Sequence, residues 1–200
     1  MILAIDTALV KCGYAVGVAP ASIAECGTLW SDDKIAFPED RAMTMVDDMD
    51  KLIVEYRVTK IIMEMPAPQA PVMHYRNKQT GKQEQFMPRG QADYGVACGA
   101  IRVELRHRWP AIPIRRERAD EWSMHLKKAA HIAAARLLYA GYESDQDAGG
   151  DAADAICLLA LEADPEAFRT AMLTGKMQTK RTVNPRKIVS GIFTEATHGE

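Results

Sequence analysis

Residues 2–30 read ILAIDTALVKCGYAVGVAPASIAECGTLW, and this opening stretch decides the fold class. An apolar run ends in Asp6, a run of small β-compatible residues covers 12–19, and a weakly alternating run covers 22–30. Pro20 marks the turn between the second run and the third. Three short strands in such close succession predict an antiparallel meander at the start of the domain.

Beyond the meander, the hydrophobic pattern alternates between helix and strand. Apolar residues recur at helical spacing from Pro38 to about residue 56, and residues 59–65 (TKIIMEM) predict a fourth strand. A long polar stretch, 66–89, follows. The remaining predicted elements are a helix at 90–108, a short strand at 112–114, helical segments within 119–140, an apolar helix at 151–163 and a last short helix from Pro165. This order predicts an α/β domain with a mixed five-stranded sheet flanked by helices.

The composition is typical of a globular protein of the reducing cytoplasm. With 48% hydrophobic and 26% charged residues, the chain can bury a core. The first apolar run contains Asp6 and has no basic residues before it, so it predicts neither a signal peptide nor a membrane span. The cysteines form no CxxC pair, so we expect reduced thiols, a cytoplasmic location and no membrane partner. They are Cys12, Cys26, Cys98 and Cys157.

The charge is unevenly distributed along the chain, although the net charge is only −2. Residues 31–55 contain eight acids and three bases, whereas residues 101–142 contain nine Lys/Arg and four acids. Residues 74–89 add four bases and one acid. The pattern fits a basic, phosphate-tracking side that faces away from an acidic side, and it fits equally well two solvated helices that differ in charge.

Four carboxylates mark a candidate metal site. Asp6 and Glu64 lie at or near strand ends, and Asp151 and Asp154, three residues apart, share one face at a helix start. Taken singly, each acid has a simpler interpretation, such as an N-cap for Asp151. Taken together in apolar surroundings, they need a compensating charge. Mg²⁺ prefers oxygen ligands, and two such ions about 3.5–4 Å apart suit phosphodiester hydrolysis.

The motifs around these acids resemble those of the RuvC-like Holliday junction resolvases of the RNase H-like superfamily. ILAIDTALVKCGYAV resembles the first strand, its catalytic Asp and the Gly-Tyr second strand, and IIMEMP resembles the strand with the catalytic Glu. Residues 90–96 (GQADYGV) resemble the start of the next long helix, and residues 150–155 (GDAADA) resemble the helix start that supplies the last two acids. The resemblance ends near residue 163. It therefore predicts a nuclease domain at 1–164, followed at 165–200 by a short helix and a basic, flexible tail.

This resemblance implies a structure-selective endonuclease of DNA recombination and repair. The enzyme would resolve four-way or other branched DNA junctions by paired nicks that leave a 5′-phosphate and a 3′-hydroxyl. The resemblance also implies the role of each acid: Asp6 bridges two Mg²⁺ ions, Glu64 and Asp154 each help to hold one, and Asp151 completes the second site. Mn²⁺ would be a substitute metal. The resemblance further implies a homodimer, for which we predict that the helix at 90–108 forms the contact. Its apolar candidates are Val96, Ala97, Ala100, Ile101 and Leu105.

Two departures from the family pattern stand out. Thr7-Ala8-Leu9 replaces the usual Gly-Ser-like turn, and the segment 66–89 is longer than in bacterial housekeeping members, which would suit a phage or mobile-element member. This insertion interleaves aromatic and basic residues, as surfaces that stack on opened bases do, or it is a polar loop without a special role. The candidate DNA-contacting residues are His74, Tyr75, Arg76, Lys78, Lys82, Arg115, Arg116, Arg118, Lys127 and Lys128.

The sequence also has to be compared with the patterns of other functions. A DnaQ-like exonuclease would need Asp-x-Glu on the first strand, where this chain has Asp6-Thr7-Ala8, and a sugar kinase or actin-like ATPase would need a Gly/Thr-rich phosphate loop there. A junction-binding protein without catalysis would gain nothing from four acids facing phosphates. The histidines are interpreted as surface or interhelical packing residues and the tryptophans as core or rim anchors.

Overall fold

The computed structural model describes residues 1–32, 34–66, 73–76, 80–86 and 90–182. A five-stranded sheet with the strand order β3-β2-β1-β4-β7 forms the centre of the fold. β1, β2 and β3 form an antiparallel meander, and β4 and β7 run parallel to β1, so the predicted mixed five-stranded sheet is confirmed. The strands are β1 (Ile2–Asp6), β2 (Lys11–Gly17), β3 (Ile23–Trp30), β4 (Lys60–Met65), β5 (Met73–Arg76), β6 (Gln83–Phe86) and β7 (Ile114–Arg118).

Helices cover both faces of this sheet. α1 and α2 pack on one face, and α4, α5 and α6 pack on the other. None of the helices in the described ranges is long and apolar enough to cross a membrane. The helices are α1 (Pro38–Glu55), α2 (Gln91–Arg108), α3 (Ala119–Trp122), α4 (Lys128–Leu138), α5 (Asp151–Ala163) and α6 (Pro165–Thr182).

Strand alternation divides the core into two layers. Along β1, Leu3 and Ile5 point toward α1 and α2, whereas Ala4 packs toward α5. All three side chains are fully buried. Because side chains of a strand alternate between faces, Asp6 falls on the same face as Ala4, the α5 face. The alternation along β1 thus directs the carboxylate of Asp6 toward the first turn of α5.

Gly13 brings α5 unusually close to the sheet. Gly13 pairs with Asp6 across β1 and β2. A Cβ atom at position 13 would lie 1.9 Å from the backbone oxygen of Asp151. Only a residue without a side chain permits this approach. The first turn of α5 therefore rests on β2, directly beside the end of β1.

Two predicted segments differ in the structure. Within the polar stretch 66–89, β5 and β6 form an antiparallel pair rather than a loop without strands. The strand predicted at 112–114 instead covers Ile114–Arg118. Its charged sequence, IRRER, lacks the apolar pattern that predicts a strand. Since β7 is the last strand in the sheet order, several of its side chains face solvent and need not be apolar.

The last helix is longer than predicted. α6 runs for 18 residues, and Phe168 and Met172 are buried against α5. A Cβ atom at Gly175 would lie 2.4 Å from the backbone oxygen of Ala130, so α6 crosses α4 closely at that point. Residues 175–182, expected to be loosely held, therefore continue the helix, and Gly175 packs against α4. The rest of the predicted tail, 183–200, lies outside the described residues, and the proposed domain division stays a prediction.

Of the two interpretations of the charge pattern, an acidic side facing away from a basic side does not hold for α1 and α2. These two helices pack against each other, and Arg108 near the end of α2 is surrounded by acids of both. Its Nη1 lies 2.7 Å from Asp47 Oδ1 and 2.5 Å from Asp50 Oδ2. Its Nε donates to Glu104 Oε1 at 2.8 Å. Opposite charges in the two segments thus hold two helices together instead of marking opposite surfaces.

The predicted dimer contact on α2 also needs correction. Ala97, Ile101 and Leu105 are fully buried in the layer between α2 and α1, so they are not available to a partner. The exposed large apolar residues in the described part of this helix are Val96, at 48% exposure, and Val103, at 65%. Residues 96 and 103 are seven positions apart and so share one helix face.

Candidate active site

Four carboxylates predicted from the sequence converge at one end of the sheet. Asp6 ends β1, and Glu64 lies near the end of the parallel neighbour β4. Asp151 and Asp154 belong to the first turn of α5. Asp6, Glu64 and Asp154 are only 7%, 8% and 7% exposed. We call these four side chains the carboxylate cluster.

Two lysines neutralise part of this cluster. Lys128 Nζ lies 3.7 Å from Asp6 Oδ2 and 3.3 Å from Asp151 Oδ1, and it contacts Asp154 Oδ2. Lys11 of β2 forms an ion pair with Asp151 Oδ2, an atom that is buried and accepts no well-directed hydrogen bond. The ammonium of Lys128 therefore takes the position of a shared cation among three carboxylates.

The local electrostatics favour protons or cations at the cluster. Burial, followed by repulsion from Glu64 and Asp154, raises the pKa of Asp6 well above its usual value. Burial also raises the pKa of Glu64 to about 7, against hydrogen bonds from Trp122 and Tyr94 that lower it. Burial works against the charge of Lys128, but its carboxylate neighbours, Asp154 foremost, raise the pKa of this lysine. The two lysines therefore compensate the buried carboxylates only in part.

Glu64 is held by hydrogen bonds from three sides. Trp122 Nε1 donates to Glu64 Oε2 at 2.7 Å, and Tyr94 Oη donates to Oε1 at 3.3 Å. Thr7 Oγ1 donates to the backbone oxygen of Glu64 at 2.7 Å and so ties the end of β1 to that of β4. Both carboxylate oxygens retain free lone pairs, because a carboxylate can accept about four hydrogen bonds.

His131 orients Asp154. Its Nδ1 lies 2.7 Å from Asp154 Oδ1, and its Nε2 lies 3.3 Å from the backbone oxygen of Ser123. The imidazole ring lies against the indole of Trp122, with the ring centroids 5.2 Å apart. One buried pair of rings thus fixes two carboxylates, Glu64 through Trp122 and Asp154 through His131.

Asp147, rather than Asp151, caps α5. Asp147 Oδ1 accepts from the backbone N–H of Asp151 at 2.9 Å, and Oδ2 accepts from that of Ala153 at 3.0 Å. Tyr142 Oη donates to the same Oδ2 at 2.8 Å. The interpretation of Asp151 as an N-cap is therefore wrong, since another buried acid satisfies the first amides of the helix. Asp151 directs its carboxylate to Lys11 and Lys128 instead.

The cluster has the right ligand chemistry for a hard divalent cation, but Lys128 is in the way. Carboxylate oxygens are the donors that Mg²⁺ prefers. In the described residues, however, no three His, Cys, Asp or Glu side chains are arranged to hold a metal ion together. The ammonium of Lys128 lies where oxygens of three of the acids approach one another. The residues present fit a divalent cation once this lysine withdraws.

The other candidate DNA-contacting residues lie in different settings. Arg115 is paired with Glu117 and Glu162, and Arg118 with Asp120 and Glu121. The structure brings only Lys128, among the described candidates, to the carboxylate cluster. Arg116, Lys127 and Lys82 are exposed. The side chains of His74, Tyr75 and Arg76, and the whole of Lys78, lie outside the described residues.

Sequence reasoning missed the residues that support the acids. His131 was interpreted as a packing residue and Trp122 as a core or rim anchor, and Lys11 and Asp147 were not singled out. A usable signal existed for His131, because it interrupts a helix otherwise built from alanine and other apolar residues, AAHIAAA. A buried polar side chain in such a helix needs a partner.

The mixed sheet with acids at the ends of strands and at a helix start defines an α/β fold of the RNase H-like class. Within this class, the chain is similar to RuvC. RuvC of Thermus thermophilus in complex with a Holliday junction substrate gives a TM-score of 0.55 at 16% identity, over 88% of this chain and 97% of that chain. A second Thermus thermophilus RuvC structure gives 0.44 at 12% identity, over 86% and 95%.

The similarity to the junction complex, with its TM-score of 0.55, confirms the predicted RuvC-like resemblance at the level of the fold. No protein-family model matches the chain, and no curated protein matches it in sequence.

Proposed function

We propose that this protein is a divalent-metal-dependent endonuclease that resolves four-way or other branched DNA junctions. The observation that carries the proposal is the convergence of Asp6, Glu64, Asp151 and Asp154 from two strands and one helix. All of them except Glu64 share the ammonium group of Lys128. Buried acids are costly unless something charged compensates them. Their retention together favours a site that binds cations for chemistry.

The four acids would hold two Mg²⁺ or Mn²⁺ ions. Such ions supply an activated water and stabilise the leaving oxygen in phosphodiester cleavage. Trp122 and His131 keep the Glu64 and Asp154 carboxylates in fixed orientations, as hydrogen-bonding partners of metal ligands do. Lys128 has to withdraw from the cluster, since it competes for the same oxygens. The products would carry a 5′-phosphate and a 3′-hydroxyl.

We also propose that the substrate is branched DNA and that the enzyme acts as a homodimer. A RuvC-like fold together with a carboxylate cluster supports a branched DNA substrate, because the similar Thermus thermophilus structure is a complex with a Holliday junction substrate. Paired nicks need two active sites, which a symmetric dimer provides. The exposed face of α2 around Val96 and Val103 is the candidate contact.

The test is cleavage of a labelled four-way junction and of a linear duplex with the same sequence, in Mg²⁺ or in EDTA. We expect symmetric nicks in the junction only with metal. The variant Asp6→Asn should cut on the order of 1000-fold more slowly, since a lost metal interaction of about 4 kcal/mol has that effect on a rate. Asp40→Asn, which changes an exposed acid on α1, is the matched control and should cut normally.

A second candidate function is a junction-binding protein without catalysis. One observation favours it: Lys128 already neutralises part of the cluster, and no metal-ready group exists among the described residues. In that case the wild type would bind the junction in EDTA and leave it uncut in Mg²⁺. Equal cutting by the wild type and Asp6→Asn would overturn the assignment of the site itself.

A further inference from the structure

A cavity of about 380 Å³ adjoins the carboxylate cluster. Its floor is the α5-facing side of β2 and β3, and its wall is the loop from Gly141 to Ala148 that leads into α5. Nothing in the proposed cleavage chemistry uses it. The residues that matter here are Lys11, Thr28, Trp30, Glu143, Gln146 and Asp147.

Strand register fixes how far this cavity lies from the acids. Asp6 pairs with Gly13, and Gly13 pairs with Thr28, so Thr28 lies two strands away, roughly 10 Å from Asp6. Lys11 lies between the carboxylate cluster and the cavity, because it contacts Asp151 of the cluster and Trp30 of the cavity. At about 3.4 Å of rise per nucleotide, this distance corresponds to about three stacked nucleotides of one strand.

Trp30 gives the cavity a stacking surface. It ends β3, opposite Lys11, and is 63% exposed, an unusually high value for a tryptophan. Lys11 Nζ lies 5.4 Å from the ring centroid, which restrains the indole while most of it stays accessible. Exposed aromatic rings beside a basic group are typical stacking sites for the bases of single-stranded nucleic acid.

The acids of the cavity decide which part of a nucleotide fits. Glu143 and Asp147 both line it, and negative charge disfavours a phosphate there. Asp147 is already occupied by Tyr142 and by two backbone amides. The Glu143 carboxylate, bonded to Gln146, has remaining capacity to accept a hydrogen bond. A carboxylate is the natural acceptor for an exocyclic amino group such as N4 of cytosine.

We propose that this cavity binds one unpaired base of the substrate strand, stacked on Trp30 and held through its exocyclic amino group by Glu143. The base belongs to the strand whose scissile phosphate lies at the carboxylate cluster, within about three nucleotides of it. The cavity thereby reads the sequence next to the cut. This inference rests on the proposed nuclease function, because it requires DNA to run across the cluster.

The first experiment tests the cavity without cleavage. Metal-free protein is titrated with single-stranded hexanucleotides of deoxycytidine or of thymidine while tryptophan emission is recorded. We expect quenching with about 10-fold tighter binding of the deoxycytidine oligonucleotide, and loss of this quenching in Trp30→Ala. Phe37→Ala is the control, since Phe37 is equally exposed at 62% but does not line the cavity. Identical titrations of the wild type and Trp30→Ala would overturn the inference, whether or not the protein cuts DNA.

The second experiment uses junctions randomised near the crossover and maps the nicks by sequencing. The wild type should prefer a base with an exocyclic amino group at one fixed distance from the nick. In Glu143→Met, which should still cut, the preference for a base with an exocyclic amino group should be at least about 5-fold weaker. An unchanged preference in Glu143→Met would overturn the role of Glu143. Failure of the wild type to cut any junction would instead contradict the proposed function, and the hexanucleotide titrations would then decide on the cavity alone.

Discussion

At the scale of single residues, Lys128 determines the state of the carboxylate cluster. Its ammonium is shared by Asp6, Asp151 and Asp154. Even so, the pKa values of Asp6 and Glu64 are raised, so the lysine compensates the buried acids only in part. A doubly charged ion would compensate them better. Lys128 and a divalent cation therefore compete for the same oxygens.

This competition predicts how Lys128→Met will behave. In EDTA the variant should be less stable by about 1–2 kcal/mol, less than for a fully buried pair, because the lysine side chain is 39% exposed. Mg²⁺ should raise the Tm of the variant more than that of the wild type, since no ammonium has to leave. Thermal unfolding with and without Mg²⁺ measures both effects.

Lys127→Met is the matched control, because Lys127 is the exposed neighbour just before α4. It should follow the wild type in both buffers. An equal rise of Tm in the wild type and in Lys128→Met would contradict competition at the cluster.

At the scale of elements, the carboxylate cluster forms because α5 lies close to the sheet. Gly13 allows its first turn to lie on β2, and Asp147 satisfies its first amides. The far end of the helix is fixed as well. There Glu162 pairs with Lys60 of β4, and its Oε2 lies 2.8 Å from Arg115 Nη1 of β7.

Gly13→Ala should damage both stability and site geometry. The new methyl group would meet the backbone oxygen of Asp151, which cannot move without displacing the whole first turn. We expect a loss of about 1–3 kcal/mol in the free energy of unfolding, as for overpacking elsewhere, together with loss of nicking. Urea unfolding and the junction assay measure the two effects.

Gly95→Ala in α2 is the control for this substitution, because a Cβ atom there would meet nothing within 4 Å. Alanine also favours a helix interior over glycine, so this variant should be as stable as the wild type or slightly more stable. If Gly13→Ala folded and cut like the control, the close approach of α5 would not be essential.

The ion pairs of Glu162 with Lys60 and Arg115 predict that the stability of the protein depends on pH. Burial raises the pKa of Glu162, but hydrogen bonds from Lys60 and Arg115 outweigh it, and the pKa is lowered from its ordinary value of 4.5. A lowered pKa in the folded state means that the stabilisation is present above pH 4.5 and disappears as the pH falls through the lowered value. Glu162→Gln should therefore cost about 1 kcal/mol near pH 7, because both cations are partly exposed.

Below pH 4.5 the difference between the wild type and Glu162→Gln should shrink toward zero in urea unfolding. Glu166→Gln, which changes an exposed acid on the neighbouring helix α6, should show no such pH-dependent difference. A constant difference at every pH would mean that packing, and not charge, accounts for the effect of Glu162.

At the scale of the whole molecule, the proposed activity depends on a second copy. Val96 and Val103 expose apolar surface on one face of α2, whereas Ala97, Ile101 and Leu105 of the same helix are buried against α1. Val103→Glu should therefore weaken a dimer formed through α2 without disturbing the fold of the monomer. Sedimentation velocity should show a shift toward the monomer mass, and paired nicks should give way to single ones.

Val54→Glu, at a similarly exposed valine of α1, is the control for surface charge. It should leave the sedimentation profile unchanged. If neither the wild type nor Val103→Glu showed a dimer at any concentration, paired cutting through α2 would be excluded.

The sequence by itself determined the order and type of most elements. β1 and α5 were predicted with the bounds that the structure has, since the apolar periodicity of a segment and its local breakers are short-range information. The same local patterns indicated Asp6, Glu64 and Asp154 as acids in apolar surroundings. The bounds of the charged edge strand β7 and the extent of α6 were predicted wrongly, because tertiary contacts rather than periodicity stabilise them.

Only the tertiary structure decided how the acids are compensated. Lys128, His131 and Trp122 are separated from their partners in sequence, and Asp147 contacts the first amides of α5 through a loop. Electrostatic and hydrogen-bonding partners are chosen by distance in space, which depends on how α4 and α5 pack on the sheet. A sequence pattern reveals that a buried acid needs a partner, but packing determines which partner it has.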